Sequence, residues 1–475
     1  MSFFVLLTSS QSLRAQYSST FSEAYLSIWS LKLEAARAHQ KLTANEKLYI
    51  HALADFMEAY TSDRESLAES KAKSMAKHIS ELERSKNEQA LIFAAELYML
   101  KAALRAKHNS RVGAGWDFWK GYRLAKLNTQ KNPNHPQNML HWGIIECGIG
   151  SMPEDLQRYL SWLGFSGDLD NGLSLLYDAH VASKSKTAFK HLQIITGMAF
   201  VSSEVQLNNN KQIRLEKLGL NPSESPIMCV VEAKILFDQN KAQTAFDLLD
   251  NRKVYTEEYP FPYLSYLKGR IAVTIEHKDA ANILKRFLEE SEGSFFVASA
   301  HRYLWWYYHL NNNPQKASFH RQQISNVETK KTGADELAAY EANFPLNTHL
   351  LRARLLFDQG KFKQCLTHIT SKLSDDVCNN NREKGEYFYR MGRCHQSLNQ
   401  PQEAIKRLDQ SIGFYGDMET FERANALLQA AMLYEARKEC GVASDYFKQV
   451  LSFSSYPFYE GIHQKAKSGL KRCKS

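Results

Sequence analysis

Between residues 160 and 176 the chain reads LSWLGFSGDLDNGLSLL, a stretch in which glycines and aspartates interrupt a helical pattern. Such residues could hold a calcium ion or a phosphate group. As an EF-hand loop the stretch would begin at Asp168 and Asp170, but Gly172 takes the fifth ligand position and Ala179 replaces the bidentate Glu. The glycine spacing also matches neither glycine-rich phosphate loop. We therefore predict no metal ion and no cofactor at this stretch.

Helix-end chemistry explains the same stretch better. Residues 156–163 (LQRYLSWL) form an amphipathic pattern, and Gly164 after them is suited to the left-handed backbone that ends helices. We expect Phe165 to fill the corner and either Ser166 or Asp168 to cap the next helix. The stretch therefore predicts a tight corner between two helices.

Catalytic signatures are absent from the rest of the sequence. There is no H-E-x-x-H, G-x-S-x-G, phosphate-loop or dinucleotide-binding motif. The 16 histidines are dispersed, and the nearest approach to a cluster is His135 with His141 beside Trp142. Neither histidine has a paired carboxylate in the sequence, so structural roles are favoured. We predict that the protein is not an enzyme, although scattered residues of a helical fold could still converge.

The seven cysteines, at positions 147, 229, 365, 378, 394, 440 and 473, are scattered and form no C-x-x-C pair. A zinc ribbon and a thioredoxin-type motif are therefore excluded. We expect buried or free thiols, which favours a reducing compartment.

Composition favours an all-α protein. The 475 residues include only 11 prolines and 22 glycines, while strong helix formers dominate many windows. No window approaches the roughly 20 apolar residues that cross a bilayer, so no transmembrane segment is predicted.

The C-terminal half contains internal repeats. AKILFDQNKAQTAFDLL begins at Ala233 and ARLLFDQGKFKQCLTHI at Ala353. Two further copies place a small residue, Gly392 or Ala431, twelve residues before an alanine at the start of a second helix. This outline resembles the tetratricopeptide repeat, in which small residues let two helices approach closely. We predict a helical N-terminal region followed by a tetratricopeptide-like α-α superhelix.

The residue after each marker of the first helix defines a ladder along the repeats. The markers stand 36 to 48 residues apart, at Ala233, Gly269, Trp305, Ala353, Gly392 and Ala431. The residues that follow them are Lys234, Arg270, Trp306, Arg354, Arg393 and Met432. In tetratricopeptide stacks this position tends to face the concave groove, where cations could grip an acidic peptide. The alternative is an exposed helix face whose cations pair with neighbouring Asp or Glu.

The segment FFVASAHRYLWWYYH (295–309) is the most aromatic part of the chain. Its rings recur at helical intervals, so we expect most of them to pack within and between repeats. The alternative is a ligand-stacking surface at Trp305 and Trp306, which would suit a cell-envelope protein that binds a small apolar or glycan ligand.

Both termini carry patterns that bear on location. Residues 1–15 resemble a truncated signal peptide, with an apolar run from Phe3 to Leu7; the alternative is a frayed first helix. With a leader the protein is periplasmic or secreted, and without one it is cytoplasmic. The tail at 461–475 holds five Lys or Arg and no acid, so it either contacts an anionic membrane surface or partner, or caps the repeat stack.

The corner stretch 160–176 is similar to the GF-x-GD signature of the tetratricopeptide repeat protein 39 and inclusion body clearance protein family. Residues 111–126 (RVGAGWDFWKGYRLAK) look like the glycine segment and basic-aromatic helix of that family. Leu169 departs from the basic residue that is common there. The resemblance implies a eukaryotic scaffold linked to clearing protein aggregates, to lipid droplets and to sterol metabolism, roles that need not hold in a distant relative.

These patterns together predict two parts and one function. We expect a helical N-terminal domain over 16–210 and degenerate repeats over 220–475, divided at the turn-rich stretch 203–226. The predicted function is a non-enzymatic scaffold whose groove binds a protein or an acidic peptide, and not a nucleic acid. The predicted binding residues are Lys234, Arg270, Trp306, Arg354 and Arg393.

Overall fold

The computed structural model describes residues 17–473, apart from residues 153, 209, 211, 330 and 455. The leader predicted at 1–15 lies outside the described residues. The described part is helical and holds no β-strand, which confirms the all-α fold class. None of its helices is both long enough and apolar enough to cross a membrane.

The first ten helices form the N-terminal region. They are α1 (Ser19–Trp29), α2 (Leu33–Ala38), α3 (Ala44–Ser62), α4 (Glu65–Ser85), α5 (Glu88–Lys107), α6 (Arg111–Lys131), α7 (Pro136–Gly150), α8 (Glu154–Trp162), α9 (Leu169–Ser185) and α10 (Gln193–Gln206). The helices pack in pairs, above all α5 on the following α6, and α7 on α9 beyond the short α8. Close approach depends on glycine here too, because a Cβ on Gly121 would lie 2.9 Å from Met99 Cγ.

Fifteen further helices follow in the described chain. They are α11 (Pro226–Asp238), α12 (Ala242–Asp250), α13 (Pro262–Thr274), α14 (Ala280–Glu290), α15 (Val297–Leu310), α16 (Pro314–Asn326), α17 (Gly333–Glu341), α18 (Thr348–Asp358), α19 (Phe362–Thr370), α20 (Ser374–Val377), α21 (Asn381–Ser397), α22 (Pro401–Tyr415), α23 (Phe421–Ala436), α24 (Cys440–Ser452) and α25 (Tyr459–Arg472).

Each of the six predicted markers lies in the first helix of a helix pair, as expected. The pairs are α11–α12, α13–α14, α15–α16, α18–α19, α21–α22 and α23–α24. Neighbouring pairs pack on one another, except that α17 separates α15–α16 from α18–α19. In α21 the marker Gly392 touches the next helix so closely that a Cβ would lie 2.8 Å from Leu408 Cγ. The large residue thus fills the space that the small residue leaves, which is the physical basis of the repeat.

The long interval between the third and fourth markers has a structural cause. Helix α17 is inserted between α16 and α18, and it packs on α15. Its buried carboxylate, Asp335, accepts hydrogen bonds from the backbone N–H groups of Phe296 and Ser299, both at 2.9 Å. This inserted helix delivers Glu341 at its C-terminal end to the inner surface of the array.

The N-terminal region and the repeats are joined by direct contacts. Ser225 Oγ, the N-cap of α11, donates to the backbone oxygen of Trp29 at 2.5 Å. The backbone N–H of Tyr259 donates to the oxygen of Leu31 at 2.7 Å. One hydrophobic cluster extends from Phe21 into α11. The domain boundary near residues 210–220 stays a prediction.

Candidate ligand-binding groove

Four of the six first helices of the repeats have a polar N-cap residue. The side chains of Ser225, Asn347, Asn380 and Thr420 cap α11, α18, α21 and α23 by accepting a backbone N–H of the first turn. Such caps satisfy donors that have no partner within the helix and fix where it starts. The start of each helix in turn decides which of its residues face inward.

The inward faces of these helices surround a cavity of about 420 Å³. Four of the five predicted binding residues line it: Arg270, Trp306, Arg354 and Arg393. They come from four different helices, namely α13, α15, α18 and α21. Four residues of the ladder therefore share one cavity, and their role in binding stays a prediction.

The fifth predicted residue, Lys234, does not line the cavity. Its Nζ pairs with Asp238 of the same helix at 2.9 Å, and both side chains are about half exposed. Asp238 itself lines the cavity. At this repeat the structure thus places the acid, and not the cation, on the groove surface.

Arg354 is held by a carboxylate from the inserted helix. Its Nη1 donates to Glu341 Oε1 at 2.9 Å, and the buried Arg302 approaches Glu341 Oε2 at 3.5 Å. The guanidinium of Arg354 also lies over the ring of Trp306, 4.6 Å from its centroid. Burial raises the pKa of Glu341, but the two guanidinium groups outweigh it and hold that pKa below its usual range.

Two further groove arginines, which the sequence analysis did not single out, are also paired. Arg390 Nη2 donates to Glu386 Oε1 at 2.9 Å. Arg382 pairs with Glu422, whose other oxygen accepts from Tyr340 Oη at 2.8 Å. The spacing of Glu386 and Arg390 at i and i+4 could have revealed the first pair from sequence. The second pair joins residues 40 positions apart and has no local signal.

Arg270 and Arg393 differ from the other groove arginines. Within the described residues neither forms a salt bridge, and the Nε atom of each is buried without a hydrogen-bond acceptor. Arg270 lies 4.7 Å from the ring centroid of Phe237, and Arg393 Nη1 donates to Tyr389 Oη at 2.9 Å. Both therefore keep N–H groups that a ligand could satisfy.

Carboxylates balance the arginines across the cavity. Its lining holds five arginines and six acids: Asp238, Glu341, Asp358, Glu383, Glu386 and Glu422. Asp358 forms no ion pair with any described residue, although it lies one turn from Arg354. The groove is thus of mixed charge and not a uniform ladder of cations.

The aromatic segment at 295–309 is mostly core. Trp305 is 4% exposed and Trp306 only 2% exposed, and Tyr303 packs against the indole of Trp306 at 5.1 Å. These values confirm that most of the rings serve packing. Since both indoles are buried, they offer little surface for a glycan to stack on.

The stretch at 160–176 is the predicted corner. Gly164 has a φ of +86° after α8, and Asp168 caps α9 by accepting from the N–H of Asn171 at 2.7 Å. Phe165 fills the corner against Tyr122, with ring centroids 4.8 Å apart. The segment at 111–126, which contains Tyr122, therefore packs directly on the corner.

His141 requires a correction. No carboxylate pairs with it by sequence spacing, yet His141 Nε2 lies 2.9 Å from Oε2 of the buried Glu96. Gln137 Nε2 donates to the same oxygen at 2.6 Å. Burial raises the pKa of Glu96, but His141 and Gln137 lower it by more. The pKa of Glu96 therefore lies below its usual range. The partner is 45 residues away, which explains why no sequence pattern revealed it.

Other predicted features are local. All seven cysteines are free thiols, as expected, and five of them are buried. No group of three or more metal-ligating side chains occurs within the described chain. In the basic tail, α25 buries Ile462 and Ala466, while Arg472 Nη2 donates to Glu435 Oε2 at 3.0 Å.

The chain is similar to several solved structures. No protein-family model and no curated protein matches the chain. Among solved structures, the human IFIT1 dimer with PPP-AAAA is 14% identical, with 94% of each chain covered and a TM-score of 0.29. The P58(IPK) TPR domain is 13% identical, covering 85% of this chain and 97% of that chain, with a TM-score of 0.23. The Cut9–Hcn1 complex of the APC/C is 11% identical, with 97% and 100% covered and a TM-score of 0.25.

The class of fold follows from the packing of the paired helices, in which a small residue of one helix meets a large residue of the next. By this packing the repeats are tetratricopeptide-like. With TM-scores this low, the helices of those proteins and of this chain do not superpose over their whole length. The ligands and partners of those proteins are therefore not assigned to this chain.

Proposed function

We propose that the protein is a non-enzymatic helical-repeat scaffold that binds a peptide segment of a partner protein in its groove. One observation carries the proposal. Arg270 and Arg393 line the same cavity with an unsatisfied Nε–H and no carboxylate partner among the described residues. Arg354, Arg382 and Arg390 each have such a partner, although the Nε–H of Arg382 is also unsatisfied. Buried donors without acceptors are costly in a folded protein, so a ligand that supplies acceptors would be bound favourably.

The balance of charges suggests what kind of peptide fits. A guanidinium binds a carboxylate through two parallel hydrogen bonds, so Arg270 and Arg393 favour acidic side chains or a chain terminus. The unpaired Asp358 and the other lining acids would repel a dense run of negative charge. We therefore propose a peptide with one or two carboxylates, and for the same reason we propose that nucleic acid does not bind here.

Affinity purification from extracts of the source organism tests the proposal. The double variant Arg270→Gln/Arg393→Gln should lose the protein that the unchanged chain retains. Lys234→Gln is the matched control, because Lys234 sits on the same ladder but does not line the cavity. Equal recovery by both variants would contradict the groove proposal.

The second candidate, a small apolar or glycan ligand at the indoles, predicts a different result. In that case Trp306→Phe should abolish binding while the double arginine variant should not. Thermal unfolding of each variant, measured beforehand, separates loss of binding from loss of folding.

Kinship with the tetratricopeptide repeat protein 39 family also stays a proposal. The two segments that carry the resemblance, 111–126 and 160–176, are in contact, which supports it. Tyr122 Oη donates to the backbone oxygen of Gly164 at 3.3 Å. The compartment also stays a proposal: periplasmic or secreted if a leader is removed, and cytoplasmic otherwise. Mass spectrometry of the mature N-terminus should find Gln16 as the first residue if a leader is removed, and an earlier first residue if none is.

A further inference from the structure

A second cavity, of about 510 Å³, lies on the outer side of the array between α14, α15 and α16. On α15 it is lined by His301 and Tyr308. At 3.6 residues per turn both side chains project roughly opposite to Trp306, which faces the groove. The cavity is therefore separated from the groove by the body of α15.

Two histidines meet at the base of this cavity. His301 Nδ1 and His320 Nδ1 lie 3.0 Å apart, so one ring must carry its proton on Nδ1 and donate it to the other. His320 is 6% exposed. Burial lowers the pKa of each to about 4, and for His320 the neighbouring His301, Lys285 and Lys316 lower it as well. The pair is thus neutral at physiological pH.

Tyr308 forms the wall above the histidines. Its ring is parallel to that of His320, with an interplanar angle of 1° and centroids 5.5 Å apart. The ammonium groups of Lys285 and Lys316 lie 5.8 Å and 5.3 Å from the Tyr308 centroid. Two cations from different helices are thereby directed to one aromatic wall.

Neither lysine has a carboxylate partner among the described residues, whereas lysines elsewhere in the array, such as Lys268 and Lys448, do. Glu289 also lines the cavity, and it too forms no ion pair. The remaining walls are apolar and include Leu288 and the half-exposed Phe319. The site therefore combines a net positive rim with room for an apolar body, the usual composition of a small-molecule pocket.

We propose that this outer cavity binds a small apolar carboxylate, with its charge at Lys285 and Lys316 and its apolar body against Tyr308 and Phe319. A metal ion is disfavoured, because both lysines would repel it and no described residue adds a third ligand beside the histidines. Inorganic phosphate would also pair with the two lysines, but it would leave the apolar walls at Leu288 and Phe319 uncovered, so we expect it to bind more weakly.

Binding should take up a proton. A carboxylate placed within about 4–6 Å of the histidine pair raises its pKa by about 1–3 units, from about 4 towards neutrality. The ligand carboxyl, with a pKa of about 4–5, is mostly ionised above about pH 5.5. The charged groups that line the cavity beside the histidine pair are Lys285, Lys316 and Glu289. A change in affinity between about pH 5.5 and pH 8 then reports the histidine pair.

Isothermal titration calorimetry of the full chain with octanoate tests the proposal. Octanoate should bind at about pH 6 and octan-1-ol, which lacks the charge, should bind at least about tenfold more weakly. Lys285→Met/Lys316→Met should cause a similar loss. Lys241→Met/Lys406→Met, which changes two exposed lysines of the same array, should bind as the unchanged protein does.

Titration in buffers of different ionisation enthalpy measures the proton. Uptake should accompany binding near pH 6, and the double variant His301→Gln/His320→Gln should abolish the uptake while octanoate still binds. Equal binding of octan-1-ol, unchanged affinity in the double lysine variant, or displacement of octanoate by equimolar inorganic phosphate would each overturn the proposal. Binding without proton uptake would overturn the part played by the histidines.

Discussion

The side-chain amide of Asn240 donates a hydrogen bond to the backbone oxygen of Phe357 at 3.2 Å, although the two residues are 117 positions apart. Near this contact Gln359 Nε2 donates to the backbone oxygen of Thr274 at 2.7 Å. The ends of α11 and α13 thus meet the end of α18 across the array. These two hydrogen bonds to backbone oxygens close the groove at this edge. A change in the curvature of the helix array would break them.

Gly360→Ala should weaken this closure. Gly360 has a φ of +78°, and a Cβ there would overlap the backbone oxygen of Asn240. A non-glycine residue in the left-handed region costs about 1–3 kcal/mol, so we expect a loss of that order in the free energy of unfolding by urea. Gly164→Ala is the control: Gly164 also has a positive φ, +86°, but nothing lies within 4 Å of an added Cβ, so this variant should lose only the part that comes from the backbone conformation. Equal losses in both variants would contradict the closure.

Glu341→Gln should destabilise the protein in a pH-dependent manner. At neutral pH we expect a loss of about 2–3 kcal/mol, because Arg354 and Arg302 lose their carboxylate. The pKa of Glu341 is lower in the folded state than in the unfolded state. Its contribution is therefore complete above the ordinary Glu pKa and disappears as the pH falls through the folded pKa.

Thermal unfolding of the Glu341→Gln variant from about pH 7 to pH 3 checks this sign. The difference in Tm between the two proteins should shrink as the pH falls. Glu336→Gln, an exposed position on the same helix, should show almost no difference at any pH. A difference that stays constant with pH would show that charge is not the cause.

His141→Leu should be among the most destabilising single substitutions in the N-terminal region. It leaves the buried Glu96 carboxylate with Gln137 as its main remaining partner. Removing one member of a buried pair typically costs about 3–5 kcal/mol, which urea denaturation would measure. The double variant Glu96→Leu/His141→Leu should recover part of that loss, since no unpaired charge stays buried. A double variant less stable than His141→Leu alone would contradict this account.

Gly392→Ala tests the packing of the repeats. The added Cβ would lie 2.8 Å from Leu408 Cγ and 3.2 Å from the backbone oxygen of Ala404. Overpacking of this kind costs about 1–3 kcal/mol, measured as a lower midpoint of thermal unfolding. Combining it with Leu408→Ala should be less than additive, because the space is then vacated. Gly441→Ala, with open space around it, serves as the control.

The N-terminal region shows why repeats can escape a reading of the sequence. Its helices also pair. A Cβ on Gly143 of α7 would lie 2.9 Å from Leu176 Cγ of α9, so the close approach of these two helices requires the glycine. However, α8 and the corner at Gly164 separate these helices, so small and large residues do not recur at one period. Detection by spacing requires a constant spacing, which insertions remove.

The groove was only partly predictable for a related reason. Arg270, Arg354 and Arg393 could be placed on its surface because helical periodicity fixes which face a residue occupies once the marker is known. Lys234 shows the limit, since in its repeat the acid one turn later occupies the surface instead.

The sequence by itself determined the helical class, the repeat pairs from Ala233 onward and the corner at Gly164, because each depends on residues within a few turns of one another. Only the tertiary structure decided which arginines are neutralised and which keep free donors. Glu341 and Glu422 reach their arginines from inserted or distant helices. Ion pairs depend on distances between side chains, and those distances are set by how the helices stack rather than by their order in the chain.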